Sequence, residues 1–285
     1  MTSAPGSPDT LFRTADGWFA VTASGGTAVL PGSLGDLLAL PRGEFHARVD
    51  SAPAVDGAPA GGPLLAPVDP ETEIWAAGVT YETSRSARME ESGEPDIYDK
   101  VYSAERPELF FKSTGRRASG PGGPVGIRAD SAWNVPEPEL ALVLNAFGEI
   151  VGYTACNDMS SRSIEGENPL YLPQAKVYRH SCAVGPWIRL ARAVPAPRSL
   201  GIACEIHRPG AAEPVWRGSA HTGSLHRELT ELAEHLFRAD DHPRGVLLAT
   251  GTSAVPDSSF TLRAGDTVAI EIDSIGRLSN PVVTV

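Results

Sequence analysis

Cysteine is scarce in this chain of 285 residues, because only Cys156, Cys182 and Cys204 are present and no two of them form a C-x-x-C pair. An odd number of separated cysteines argues against a disulfide framework and against a zinc site. No segment approaches the about 20 apolar residues that a membrane span needs. The N-terminal residues lack the basic and apolar regions of a secretory signal. The sequence therefore predicts a soluble, cytoplasmic protein without a membrane partner.

Positive charge is also in short supply, since the formal net charge is −11. Nucleic-acid binding requires clustered Lys and Arg, so a nucleic-acid partner is not expected. A protein of this charge repels an anionic substrate at long range, and such a substrate would need a local cation at its binding site.

Lysine accounts for only three of the 24 basic residues, at Lys100, Lys112 and Lys176. A position that retains lysine in an arginine-rich chain can require a compact ammonium that a guanidinium does not replace. Lys100 lies in the acidic stretch DIYDKVYSAE, where we interpret it as a solvated surface residue.

The pattern of apolar residues predicts an α+β, mainly β protein with two parts. Residues 52–69 are rich in Ala, Gly and Pro and have the composition of a linker. We therefore predict a small N-terminal α/β domain with its linker over residues 1–66 and a catalytic domain over residues 67–285. One clear helix is expected to begin after Ser224, with leucines from Leu225 onward on one face.

An acidic β-hairpin is the most informative stretch, in NVPEPELALVLNAFGEIVGYTACND. Glu137 and Glu139 are two residues apart, so on a strand they point to the same face. A four-residue loop, AFGE, would pair Asn145 with Ile150. In that antiparallel register Asp158 lies opposite Glu137.

Three carboxylates would then converge on one patch, with Cys156 opposite Glu139. Like charges that face one another across strands are destabilising unless a cation compensates them. Oxygen ligands favour Mg²⁺, with Mn²⁺ or Ca²⁺ as alternatives. The competing interpretations are an exposed acidic edge strand and a register shifted by two residues.

Two polar loops carry further candidates. Lys176 closes the segment MSSRSIEGENPLYLPQAK, where an ammonium could bind a substrate carboxylate or move a proton, or could simply be a surface charge. Glu165 and Glu167 could act as acid or base or solvate the loop, and Arg162 could pair with either. Near the C-terminus, the hydroxyl of Thr252 in ATGT could bind a carboxylate, although an ordinary turn has the same pattern.

These motifs, taken in order, identify a family resemblance. NVPEPELALVL, GYTACNDMSSR, QAK, GPWI, ATGT and GDTVAIEIDSIG resemble the catalytic domain of the fumarylacetoacetate hydrolase superfamily over about Glu73 to Val285. The resemblance implies a mixed β roll, usually in homodimers. It implies metal ligands at Glu137, Glu139 and Asp158, and substrate-facing residues at Lys176, Glu165 and Thr252. Glu165 stands where hydrolase members more often carry Gln.

A closer resemblance, to the 2-keto-3-deoxy pentonate (arabinonate or xylonate) dehydratase branch, is visible in GVTYETSRSARMEES, DIYDKVYSAERPELFFKST and SIEGENPLYLPQAK. Members that hydrolyse carbon–carbon bonds often place a His and a Glu after Asn-Tyr. Here Tyr81 is followed by Arg85, Arg88 and Glu90 without a His. Ser163 stands where the family usually has Asp, which leaves the identity of the substrate open.

We therefore expect an Mg²⁺-dependent hydro-lyase that dehydrates a 2-keto-3-deoxy sugar acid, or a similar small anionic 2-keto acid, through a metal-stabilised enolate. The protein is expected to be a homodimer or higher homo-oligomer. The candidates for proton transfer are Lys176, Glu165 and Glu90, and those for binding substrate oxygens are Thr252, Lys112, Tyr81 and Arg85. The alternatives are an acylpyruvate hydrolase, an oxaloacetate decarboxylase, or a non-catalytic metal-binding relative.

Overall fold

The computed structural model describes residues 5–55, 62–91 and 95–285. Most regular structure is in strands, as the sequence predicts. The strands are β1 Thr10–Thr14, β2 Gly17–Val21, β3 Thr27–Leu30, β4 Glu73–Gly78, β5 Glu108–Thr114, β6 Val125–Ile127, β7 Asn134–Val135, β8 Pro138–Leu144, β9 Ile150–Asp158, β10 Ser160–Ser161, β11 Cys182–Leu190, β12 Gly201–His207, β13 Trp216–His221, β14 Val246–Ala249, β15 Thr267–Ile272 and β16 Gly276–Thr284. The helices are α1 Leu34–Leu38, α2 Arg42–Asp50, α3 Glu82–Glu91, α4 Pro95–Ser103, α5 Arg162–Glu167, α6 Leu172–Lys176 and α7 Leu229–Phe237.

A nine-stranded mixed sheet, in the order β3-β2-β1-β11-β9-β8-β14-β4-β5, forms the centre of the fold. The N-terminal strands extend this sheet, because β1 pairs with β11 through Thr10↔Arg189. Residues of α1 and of β14 share one apolar core, as Leu34 and Leu247 show. The division between residues 66 and 67 stays a prediction.

A second, five-stranded sheet has the order β13-β12-β15-β16-β6. Alternating side chains of β8, including Leu140 and Leu142, pack into one core with Ile202 of β12 and Ile270 of β15. The intervening positions of β8 face the other core, so this strand is buried on both sides. The mainly β α+β class is confirmed, and β8 lies deep inside it.

The long C-terminal helix begins later than the sequence pattern indicates. Ser224 ends a 3₁₀ turn that is capped by His221, and α7 begins at Leu229 after a capping box formed by Glu228 and Glu231. Leu225 continues the leucine spacing but forms a β-bridge with Tyr81 instead of entering the helix. The helix boundary predicted at Ser224 is therefore wrong.

Helices of the described ranges are short relative to a bilayer. None of them has both the length and the apolar composition that a membrane span requires.

Candidate metal centre

The β8–β9 hairpin brings the acidic residues together in the predicted register. Glu139 pairs with Cys156, and the backbone N–H of Asp158 donates to the carbonyl oxygen of Glu137 at 3.0 Å. The hairpin is central in the sheet, because β14 pairs with the other edge of β8. The interpretation as an exposed acidic edge strand is therefore wrong.

The turn of this hairpin differs from the prediction. Ile150 pairs with Leu144 instead of Asn145, and the register shifts by one residue next to this pair. The Asn145 N–H donates to the carbonyl oxygen of Glu149 at 3.1 Å, so the loop has three residues, 146–148, instead of the predicted four. Gly148 in this loop adopts φ +70, which glycine accommodates without strain. The extra residue at Val151 forms a bulge on β9, so the two deviations cancel and the register beyond the bulge is the predicted one.

The carboxylates of Glu137, Glu139 and Asp158 form a compact buried cluster. Their ligand oxygens all lie within 4.8 Å of one another, and the residues are at most 3% exposed. Oxygens on opposite sides of an ion lie about 4.2 Å apart around Mg²⁺ and up to about 5 Å apart around Ca²⁺, at twice the usual metal–oxygen distances. The cluster therefore fits a hard divalent cation after, at most, a small contraction.

Lys176 lies between two of these carboxylates. Its Nζ donates to Glu137 Oε2 at 2.8 Å, to Asp158 Oδ2 at 3.0 Å and to the hydroxyl of Ser160. The side chain is 2% exposed, so these contacts are made away from bulk water. The interpretation of Lys176 as a surface charge is therefore wrong.

Two further cationic side chains, those of Arg162 and Lys112, contact the second oxygen of Glu137 and of Asp158. Arg162 contacts Glu137 Oε1 through Nη2 at 3.1 Å and Nε at 3.2 Å, and its Nε lies 4.0 Å from Glu165 Oε2. Lys112 Nζ lies 2.5 Å from Asp158 Oδ1. Both oxygens of Glu137 and both of Asp158 thus contact a cationic side chain.

Glu139 has a different environment. Its Oε2 accepts a hydrogen bond from the backbone N–H of Gly251 at 2.7 Å. Burial raises the pKa of the Glu139 carboxyl well above its ordinary value, and the charges of Asp158 and Glu137 raise it further. Glu139 is thus the member of the cluster whose negative charge is least compensated by its surroundings.

A cavity beside the cluster contains several of the predicted residues. Glu165, Lys176 and Thr252 line it together with the three carboxylates. Arg162, which the sequence analysis considered as a partner of Glu165 or Glu167, also lines it. Lining side chains that the sequence analysis did not identify come from β5 and α4: Glu108, Phe110 and Tyr98.

Glu108 reaches this cavity because its partner across the β4–β5 pair is glycine. A Cβ atom at Gly78 would lie 2.0 Å from Glu108 Oε2, so any larger residue would displace the carboxylate. The only sequence signal for this arrangement was a glycine at the end of a buried strand, and the sequence alone does not show which residue pairs with that glycine.

Other predicted residues lie elsewhere. Tyr81 is buried in the main core, where its hydroxyl has no hydrogen-bond partner among the described residues, and burial raises its pKa. Arg85, a residue of α3, contacts α4, with its Nη1 3.4 Å from Asp99 Oδ1. In the described part of the chain, neither lines the cavity. The Glu90 side chain lies outside the described residues.

Ser163 also points away from the cavity. Its Oγ lies 2.7 Å from Ser131 Oγ, in a hydrogen bond that joins the start of α5 to the loop before β7. Arg162 finds its carboxylate partners in Glu137 and Glu165 instead of in the neighbouring residue. The serine therefore does not deprive Arg162 of a counter-ion.

Comparisons with known proteins identify the family of the chain. The family model described as fumarylacetoacetate (FAA) hydrolase C-terminal matches residues 73–283. A probable 2-keto-3-deoxyxylonate dehydratase of Haloferax volcanii is 50% identical over 83% of this chain and 80% of the relative. A 2-dehydro-3-deoxy-D-arabinonate dehydratase of Saccharolobus solfataricus is 43% identical over 77% and 74%.

Solved structures of dehydratases are also similar to this chain. A 2-keto-3-deoxy-D-arabinonate dehydratase complexed with magnesium and 2,5-dioxopentanoate superimposes with a TM-score of 0.83. It is 33% identical to this chain, and the match covers 97% of this chain and 98% of that one.

Proposed function

The chain belongs to the fumarylacetoacetate hydrolase family, and we propose that it is an Mg²⁺-dependent lyase that dehydrates a 2-keto-3-deoxy sugar acid. The observation that carries the proposal is the buried cluster of Glu137, Glu139 and Asp158, which opens on a cavity lined by Lys176 and Glu165. The relatives named as dehydratases support the reaction class, and the magnesium-bound neighbour supports the metal.

In this proposal the three carboxylates hold the cation. When bound, the ion supplies positive charge that acidifies the C3 proton of a 2-keto acid and stabilises the enolate. The protein has a net charge of −11, so an anionic substrate was expected to need a local cation at its binding site. The bound ion would be that cation.

Two side chains of the cavity wall are proposed to move protons. Loss of water requires that the C3 proton be removed and that a proton reach the hydroxyl leaving C4. We assign these transfers to Glu165 and Lys176, because both are nearly buried and line the same cavity. Exclusion of water from such groups strengthens their interactions with a bound anion.

Thr252 is proposed to orient the substrate. Its Oγ1 accepts a hydrogen bond from the Ala254 N–H at 3.2 Å, so we propose that its hydroxyl hydrogen is directed to a substrate oxygen. Contacts from Tyr81 and Arg85, and proton transfer by Glu90, stay predictions from the sequence, as does the homodimer.

A hydrolase is the competing function for this site. Hydrolysis of an acylpyruvate requires a group that activates water, and no histidine lines the cavity within the ranges that the structure describes. Elimination needs only enolate formation and a leaving hydroxyl, so the residues in place favour dehydration.

The test is to incubate the protein with Mg²⁺ and, separately, with 2-keto-3-deoxy pentonates, 2-keto-3-deoxy hexonates, acylpyruvates and oxaloacetate, and to follow products by mass. Loss of one water from a keto-deoxy acid, abolished by a chelator, is the expected result. Pyruvate released from acylpyruvates, or carbon dioxide from oxaloacetate, with every sugar acid unchanged, would overturn it. No turnover with the metal still bound would favour the non-catalytic relative.

A further inference from the structure

Lys112 is held by three oxygens of the protein. Its Nζ donates hydrogen bonds to the carbonyl oxygen of Met159 at 2.8 Å and to the carbonyl oxygen of Lys176 at 2.5 Å. It also forms an ion pair with Asp158, with Nζ 2.5 Å from Oδ1. These contacts hold the ammonium against the backbone and the carboxylate of the protein.

The position of Lys112 separates it from the cavity. The residue is 0% exposed, and in the described part of the chain it does not line the cavity that holds the carboxylates. A lysine that binds a substrate directly would need an Nζ on the cavity wall. The predicted substrate contact of Lys112 is thus not favoured by its surroundings.

Its contacts join three parts of the fold at the site. Lys112 belongs to β5, Asp158 and Met159 lie at the end of β9, and the Lys176 carbonyl ends α6. One ammonium consequently fixes both the carboxylate of Asp158 and the backbone that carries Lys176. Lys176 Nζ in turn contacts Asp158 Oδ2, so the two lysines hold opposite oxygens of one carboxylate.

We infer that Lys112 is a positioning residue that orients the carboxylate of Asp158 toward the metal, and that Lys112 itself touches neither the metal nor the substrate. The inference rests on the proposed function, in which Asp158 binds the metal and Lys176 transfers a proton. Groups that orient metal ligands typically change metal affinity about 10–100-fold when removed.

The experiment compares Lys112→Met with Lys100→Met, which removes an exposed lysine of α4 and the same charge. Calorimetry measures Mg²⁺ affinity first, and then the affinity for oxalate, a planar enolate mimic, at saturating Mg²⁺. For Lys112→Met we expect Mg²⁺ affinity to fall about tenfold or more, with oxalate affinity within about twofold of wild type. Lys100→Met should change neither. A tenfold loss of oxalate affinity with unchanged Mg²⁺ affinity would overturn the inference and restore Lys112 as a substrate ligand.

A double-mutant cycle in chelator gives a readout that needs no metal. Lys112→Met should lower the unfolding temperature strongly in the wild-type background, because it leaves the buried Asp158 charge without one of its cations. The loss should be smaller in the Asp158→Asn background, where that charge is absent. Equal losses in the two backgrounds would contradict the positioning role. If Lys112→Met does not fold, Lys112→Arg is measured in both backgrounds by the same criteria.

These readouts separate the inference from the proposed function. A wild-type protein that binds Mg²⁺ but dehydrates no keto-deoxy acid would refute the function, while the Mg²⁺ and oxalate affinities would still decide the role of Lys112. If wild type bound no Mg²⁺, the stability cycle alone would decide it.

Discussion

Replacing Glu139 with Gln should separate the two effects of a buried carboxylate, its repulsion of neighbours and its attraction of a metal ion. The amide has nearly the same shape, and its carbonyl oxygen can accept the Gly251 N–H that now binds Glu139 at 2.7 Å. The backbone contacts of β8 are unaffected by the change. We therefore expect a folded protein that lacks one negative charge at the cluster.

The metal-free variant should be more stable than the metal-free wild type. Two like charges 4.8 Å apart repel by about 3.5 kcal/mol at an effective dielectric constant of about 20. Glu139 faces both Glu137 and Asp158, but cationic side chains offset much of the charge on these two residues. We expect a net gain of roughly 1–3 kcal/mol, which corresponds to an increase of about 2–6 °C in Tm.

The gain should depend on pH in a defined direction. Burial, with the charges of Asp158 and Glu137, raises the pKa of Glu139 well above its ordinary value of 4.5. A carboxyl that binds its proton more tightly in the folded state destabilises the fold above that ordinary pKa, and the penalty grows as pH rises through the raised pKa. The advantage of the variant should be present at pH 8 and should disappear below about pH 4.5.

Metal should reverse the order of stability. A ligand at 100 times its Kd stabilises the folded state by about 2.7 kcal/mol, so Mg²⁺ should raise the Tm of wild type by several degrees. Glu139→Gln should show little or no increase. Scanning calorimetry with and without chelator measures both effects, and Glu271→Gln, on an exposed residue of β15, is the matched control. A variant that is less stable in chelator and keeps its response to Mg²⁺ would refute the reasoning.

Two further substitutions test neighbouring residues. Lys176→Arg should lower kcat at least about 100-fold and should lower Mg²⁺ affinity much less, because a guanidinium cannot reproduce the compact contacts of Nζ with Glu137, Asp158 and Ser160. Steady-state kinetics with detection of the product by mass would measure the effect. A nearly normal kcat would exclude Lys176 from proton transfer. Ser163→Ala should change kcat/KM less than about threefold, because the hydroxyl bonds Ser131 outside the cavity; a change of tenfold or more would make Ser163 part of the substrate site.

The acidic hairpin shows how sequence can predict a site through an imperfect local structure. Strand alternation and the length of the connection place Asp158 opposite Glu137, and the structure has this register. The predicted loop is one residue too long. A shorter loop followed by a bulge at Val151 gives the same strand pairing beyond the bulge as a longer loop without a bulge. Local sequence does not distinguish these solutions, since both accommodate Gly148.

Other parts of the site depend on contacts between distant segments, which periodicity does not encode. The leucine spacing continues back to Leu225, yet this residue pairs with Tyr81 and α7 begins at Leu229. Glu108 enters the cavity because of a glycine 30 positions earlier in the chain, at Gly78. Such pairings follow from sheet order, and nothing in the local pattern of either segment specifies that order.

The case for a metal changes once the cations around the cluster are known. From the sequence, three converging carboxylates required a divalent ion to offset their repulsion. In the structure, lysine and arginine side chains already contact Glu137 and Asp158, so repulsion at these two residues does not by itself demand a metal.

The charge of Glu139, by contrast, still needs a cation to offset it. Within the described ranges no lysine or arginine forms an ion pair with it, and its Oε2 is held by a backbone N–H. A cationic side chain beside Glu139 would occupy part of the cavity that this residue lines. A small ion bound by oxygens can neutralise the same charge and still keep open coordination positions toward the cavity. Side-chain cations contact Glu137 and Asp158, and a metal ion bound at the cluster would supply the positive charge that Glu139 lacks without closing the cavity.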